Sequence, residues 1–159
     1  MKRHRITRVR KANDEYAVTT IDTSGPGPLA YQRRPCGGCP WRTDVPTGVF
    51  PAEAFRLSAH TAYDLADASF ACHEMGAENS GLCAGFLLRG ADDNLDIRWA
   101  RMKGEYDPTL VTDGGAPLYD SYRAMAEANG VPADDPILEP CRPESDGCVS
   151  YRYRDGEAL

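Results

Sequence analysis

Cys36-Gly37-Gly38-Cys39, followed far downstream by Cys72 and Cys83, places four thiols in two clusters. A Cys-x-x-Cys on a glycine-rich turn can aim both sulfurs at one ion, and a second pair from a distant loop can complete a tetrahedron. The expected ligand set is therefore Cys36, Cys39, Cys72 and Cys83, holding Zn2+ through sulfurs at about 2.3 Å. Four protein ligands leave no place for water, so such a site organises a fold rather than activating a nucleophile. Four thiolates leave the site net negative. Hydrogen bonds to the sulfurs are expected from Arg34, Arg42 or backbone N–H groups, with Pro40-Trp41 as a shield against water.

Other chemistries use the same residues. His73 follows Cys72 directly, and neighbours in an extended segment point to opposite sides, so one of the two is expected to bind and not both. With His73 in place of Cys72 the set becomes Cys3His, equally suited to zinc. An iron–sulfur cluster takes the same four thiolates and would make the protein a redox carrier or sensor. Three of Cys36, Cys39, Cys72, His73 and Cys83 plus a water would make a catalytic metal. A thioredoxin-like reading of Cys-Gly-Gly-Cys fails, because Pro40, Pro46 and Gly48 follow where a helix is needed. Covalent catalysis by Cys72 with His73 or His60 needs a thiolate and a base within hydrogen-bond reach, which sequence neighbours rarely provide. Cys141 and Cys148 stay outside the set, and an inert buried thiol is the expected fate of a lone cysteine. Asp92-Asp93 and Asp134-Asp135 lie among Gly, Pro and Asn and read as solvated turns rather than acid/base pairs. No P-loop or dinucleotide fingerprint is present.

The elements that position these groups follow from periodicity. Residues 5–22 read as a β-hairpin, with Ile6, Thr7, Val9 and Val18, Thr19, Thr20, Ile21 flanking the turn residues Ala12-Asn13-Asp14, and with Ile6, Arg8 and Arg10 on one side. Gly and Pro at 25–28 make residues 23–30 a linker. A helix is expected to open at Pro51 and run to about Asp67, on Phe55, Leu57, Ala59, Ala62, Tyr63, Leu65 and Ala66. Phe70 to His73 reads as a short extended or turn segment, and Cys83 as the entry to a buried helix. Leu95, Ile97, Trp99 and Met102 suggest a core helix stopped by Gly104. Leu118, Tyr122, Met125 and Ala126 suggest another, stopped by Gly130. Val149 to Arg154 alternates like a strand able to join the hairpin.

The chain of 159 residues is 42% hydrophobic and 26% charged, as expected for a folded globular domain. No apolar run reaches the roughly 18 residues of a membrane span, and no apolar stretch follows the basic start as in a signal peptide, so no membrane and a cytoplasmic location are expected. Thiolate ligands rather than disulfides suit that compartment. Six of the eighteen basic residues fall within the first eleven positions, leaving twelve basic against twenty-four acidic residues beyond them. That basic segment, with Tyr31, Trp41 and Trp99 as stacking candidates, is the feature that would contact nucleic acid. On a hairpin beside an acidic body it serves equally as a solvated face. A protein partner is the other expectation.

The string Arg34-Pro35-Cys36-Gly37-Gly38-Cys39-Pro40-Trp41-Arg42, then Gly48 and Phe50-Pro51, Phe70-x-Cys72-His73 and Cys83-Ala84-Gly85-Phe86, resembles an uncharacterised family of small actinobacterial and actinophage proteins. The likeness continues through Asn94-Leu95-x-Ile97-Arg98, Pro117-Leu118-Tyr119 and Asn129-Gly130-Val131. It spans about residues 33 to 141. It implies that the cysteine and histidine clusters belong together and implies no reaction. The expected fold is a small, mainly helical α+β domain over 1–159: a hairpin at 5–22, a linker at 23–30, a metal-centred helical core at 31–141 and a strand segment at 142–159. The expected function is that of a zinc-binding module with a binding or regulatory role.

Overall fold

β-branched residues on both sides of Asn13 favour extended backbone, and Asn13 itself closes the turn, its Oδ1 accepting the N–H groups of Glu15 at 2.9 Å and Tyr16 at 2.7 Å. The computed structural model, which describes residues 4–143, accordingly shows an antiparallel pair, β1 (Arg5–Lys11) and β2 (Ala17–Asp22). Ile6 faces Ile21 and Val9 faces Thr19. A register shift between Ile6 and Arg8 breaks the strict alternation expected for Ile6, Arg8 and Arg10, because the extra residue of a bulge re-aims the side chains beyond it.

Four short helices come after the sheet: α1 (Ala52–Ser58), α2 (Ala84–Arg89), α3 (Leu95–Met102) and α4 (Tyr122–Ala128), an α+β arrangement. The expected helix from Pro51 to Asp67 is shorter. Pro51 is the N-cap of α1, which ends at Ser58 and passes into a 3-10 turn over Ala59–Ala62. Tyr63 then leaves the helix in extended backbone, pairing with Cys141 while its hydroxyl donates to the Ile137 carbonyl at 2.5 Å. Leu65 has φ 61°, and its N–H donates to the Asp93 carbonyl. Tertiary hydrogen bonds here outweigh helix propensity.

Trp41, Phe86, Met125 and Leu138 are fully buried at the centre. The Trp41 ring stands edge-on to Phe70 at 5.9 Å and Tyr122 at 5.7 Å, and the Tyr122 hydroxyl donates to the Phe55 carbonyl at 2.6 Å, tying α4 to α1. α2 fits against Trp41 only because residues 85 and 90 are glycines: a Cβ at either would lie 2.5 Å from an indole or Cβ atom of Trp41. α4 starts later than expected, with Ser121 as its cap. Leu118 instead pairs with Arg42 across an isolated bridge.

α3 is not the core helix its spacing suggests. Ile97 and Ala100 are buried, but Leu95, Trp99 and Met102 are 43%, 60% and 78% exposed. The two acidic turns also differ from expectation. Asp93 pairs with Arg98 and Arg142, and buried Asp135 pairs with Arg56 and accepts the Ile137 N–H at 3.0 Å. Paired carboxylates can leave bulk water, which an isolated acidic turn would not do.

Asn94, nearly fully buried, caps α3 by accepting the Ile97 N–H at 3.1 Å and donates to the Ala68 carbonyl at 2.7 Å. Asn94→Ala removes the cap and leaves that half-buried carbonyl without its donor. The expected loss is about 2 kcal/mol, from a cap worth ~1 and a half-buried unsatisfied group at the low end of ~1–3. Urea unfolding checks it; a change under about 0.5 kcal/mol would mean that water replaces the amide.

Candidate metal centre

Three short extended stretches set the thiols in place. Leu82 pairs with Tyr31 in parallel and with Ala71 in antiparallel fashion. Backbone bonds from Cys72 N–H to Gly81 O at 2.8 Å and from Cys83 N–H to Phe70 O at 3.0 Å fix Cys72 and Cys83 on neighbouring stretches. The Cys36–Cys39 turn closes through Cys39 N–H to Cys36 O at 3.1 Å and continues to Trp41, whose burial anchors the loop. Cys83 is the N-cap of α2.

The four thiols lie in one neighbourhood. Cys39 Sγ lies 3.6 Å from Cys83 Sγ, and Cys36 feels the charges of Cys72 and Cys39. Cys39, Cys72 and Cys83 are buried and Cys36 is half-buried. A separation of 3.6 Å is far beyond a disulfide bond of about 2.05 Å. It is close to the edge, about 3.8 Å, of a tetrahedron with ~2.3 Å metal–sulfur bonds.

Charge is shared unevenly among the thiols. The hydrogen bond from Cys83, helped by the Trp41 and Gly85 N–H groups, lowers the Cys39 thiol to about 7 against the cost of burial. Its bond to Cys39, then burial, pushes Cys83 well up, although the Phe86 and Gly85 N–H groups favour its thiolate. Burial, then the neighbouring Cys72, Cys39 and Glu74, raises Cys36 to about 12. So many thiols cannot all ionise together without a cation among them.

The donors to sulfur differ from those expected. Arg42 forms a two-pronged pair with Asp44 at 2.8 and 2.7 Å and reaches Cys36 and Cys39 only through its charge; Arg34 runs alongside Gly114. Backbone N–H groups of Trp41, Gly85 and Phe86 serve instead, and Gln32 Nε2 approaches Cys72 Sγ at 3.7 Å. Of the expected shield Pro40-Trp41, Trp41 is fully buried and Pro40 half-buried.

His73 also reaches the cluster. The chain turns directly after Cys72, with Met75 N–H to Cys72 O at 3.3 Å, so both neighbours face Cys36 despite their adjacency. His73 Nδ1 lies 4.0 Å from Cys36 Sγ and its ring stands edge-on to Phe50 at 5.2 Å. Cys36, His73 and Glu74 bring donor atoms within 4.8 Å of one another, a group that can hold a metal ion at the outer end of the cluster. Gln32, Glu74 and Gly85 escape a reading based on cysteine spacing. Only Glu74, next in line after Cys72-His73, carried a signal in the sequence.

Cys141 is apart from the cluster, buried with its thiol 3.8 Å from the Ala59 carbonyl and raised to about 11 by burial, as an inert thiol should be. His60 feels the charges of Arg10 and Asp67, and among the described residues it makes no hydrogen bond to Cys72. Trp41 is enclosed and unable to stack on a base, whereas β1 carries Arg5 and Arg8 exposed and Arg10 half-buried. Cys148 and the expected strand at 149–154 lie outside the described residues.

Residues 31–142 match a family of unknown function, DUF6283. The chain belongs to that family. The match takes in all four clustered thiols, His73, Glu74 and every backbone donor to sulfur, and leaves β1 and β2 outside it. Comparison with curated proteins and with solved structures gives no match for this DUF6283 member. Among the described residues no helix is long and apolar enough to cross a membrane.

Proposed function

We propose that Cys36, Cys39, Cys72 and Cys83 hold one zinc ion, and that the protein is a zinc-stabilised binding or regulatory module acting on a protein partner. The observation that carries this reading is the contact of Cys39 and Cys83 at 3.6 Å, with Cys36 near enough to feel the charges of Cys72 and Cys39, and three of the four thiols buried. Buried thiols with backbone N–H donors suit a closed thiolate site, since the N–H groups offset the charge that four sulfurs leave on the ion. Placement of all four within the family match supports reading the cluster as a property of the family rather than of this chain.

A second reading rests on Cys36, His73 and Glu74. A site using them would open toward solvent and leave room for water, as a catalytic metal requires. X-ray absorption on anaerobically purified protein separates the two. Zinc with four sulfurs at about 2.3 Å supports the closed site. Mixed sulfur, nitrogen and oxygen ligands favour the open one, and iron with sulfide replaces both by redox chemistry. In the closed site His73→Ala leaves the zinc content at one per chain; in the open site it removes the metal.

A further inference from the structure

Cys36 differs from the other three clustered thiols. Cys39, Cys72 and Cys83 are 0%, 4% and 3% exposed, whereas Cys36 is half-buried. A hydrated ion gives up its waters only as ligands replace them, so a buried site needs an entry path whose first ligands solvent can reach. Three enclosed thiols cannot supply that first contact. One half-buried thiol offers a single bond.

His73 and Glu74 stand beside Cys36 and are exposed. The three donor atoms lie within 4.8 Å of one another. Cys36 Sγ and His73 Nδ1 are 4.0 Å apart, close to the ~3.6 Å edge of a tetrahedron with zinc–sulfur and zinc–nitrogen bonds of ~2.3 and ~2.05 Å. Neighbours hold both side chains there. The Phe50 ring stands edge-on to the imidazole at 5.2 Å, and a Cβ on Gly38 would lie 3.5 Å from His73 Nε2 and 3.7 Å from Glu74 Oε1. Both groups therefore lie against the Cys-Gly-Gly-Cys turn. Among the described residues Glu74 forms no ion pair, so its carboxylate is not committed elsewhere.

Solvent has a route to this place. A cleft of about 820 Å³ between the hairpin and the helices, walled on one side by β2, is lined at one end by Pro40, Phe50, Cys72 and His73. Ligand type then separates the outer set from the inner one. One thiolate, one imidazole and one carboxylate leave the fourth position to water, whereas four thiolates close the site and suit zinc better. Cys36 belongs to both sets.

We propose, on the closed four-sulfur reading of the cluster, that Cys36, His73 and Glu74 form a loading site for the divalent metal ion, which passes from there to the buried thiols. Cys36 keeps its bond throughout. The His73 nitrogen, the Glu74 oxygen and one water give way in turn to the sulfurs of Cys39, Cys72 and Cys83. Three bonds to the ion break, three form, and its oxidation state does not change. Each incoming thiol loses its proton as its sulfur binds, to water or to the freed imidazole and carboxylate. The same steps in reverse release the ion, so entry and exit share one route.

Exchange of bound zinc tests the route on the zinc-loaded full chain, mixed with isotopically labelled Zn2+ and followed by the label entering the protein. His73→Ala/Glu74→Gln is expected to slow exchange about tenfold, with one zinc per chain and four sulfurs still bound. Glu74→Gln alone, equal in shape, is expected to slow it about threefold and carries the test should the double variant misfold. Unchanged exchange in both variants, with four sulfurs bound, would overturn the loading site and leave the closed site standing. Faster exchange would overturn it too, making His73 and Glu74 a cover over the thiols. A parent zinc with nitrogen or oxygen ligands, lost in the double variant, would overturn the closed reading and the loading site together.

Discussion

Cys39→Ser is expected to lose essentially all bound metal and, with it, the order of residues 36–83. Cys39 is in contact with Cys83 at 3.6 Å, its charge is felt by Cys36, and it takes N–H donors from Trp41 and Gly85. A serine oxygen keeps the shape but not the soft, charged donor that a tetrahedral thiolate site needs. Structural zinc contributes about 10–16 kcal/mol in small metal-folded peptides, comparable with the roughly 5–15 kcal/mol that holds a whole domain together. Metal analysis and near-ultraviolet circular dichroism of the enclosed Trp41 measure the two losses. Cys141→Ser is the matched control: an equally buried thiol, apart from the cluster, whose replacement leaves metal content unchanged. Melting of Cys39→Ser at the parent's temperature, with no metal in either protein, would overturn the zinc reading.

Gly85→Ala should destabilise the protein by about 3 kcal/mol, at the upper end of what overpacking a core costs. Helix propensity alone argues for the opposite sign, since alanine inside a helix is worth about 1 kcal/mol over glycine. Geometry decides between them. The new methyl would lie 2.5 Å from Trp41 Cβ and 2.6 Å from its Cγ, atoms near the backbone of a side chain enclosed by Phe70, Phe86 and Tyr122. Trp41 cannot swing away, so α2 must shift, and α2 carries the Gly85 and Phe86 N–H groups that point at the sulfurs. Denaturant unfolding gives the energy, and a fall in metal affinity should accompany it. An unchanged midpoint would show that α2 slides freely over the indole.

The legible part of the molecule was whatever local pattern dictates. Asn13 between two β-branched runs specified the hairpin, Pro51 marked the start of α1, Cys83 sat at the entry of α2, and Gly130, with φ 99°, ended α4. Long-range pairing was illegible. Nothing near Tyr63 foretells that it leaves the helix to meet Cys141, and Leu82 joins two partners through stretches too short for a periodic signal. The site followed the same division. Spacing singled out Cys39 and Cys83, which the fold brings into contact, whereas the arginines expected at the sulfurs found Asp44 and Gly114 instead. Backbone N–H donors are invisible to composition because every residue but proline has one. The exposure of Trp99 and Met102 was missed because an apolar stripe at helical spacing does not say what lies opposite it.

The boundary of the family match divides the molecule in a way the fold alone does not. The thiols and their N–H donors fall within residues 31–142, while the strand that walls the cleft over Cys72 and His73 falls before Tyr31, beyond a Gly-Pro-Gly-Pro linker. Its described attachments to the body include one edge-on ring contact, Tyr16 with Phe50, and one side-chain bond, Arg10 to Leu57. A thiol cluster inside the family match is thus paired with a lightly fastened visor outside it, and substitutions in the visor can change what reaches the thiols without disturbing a single sulfur.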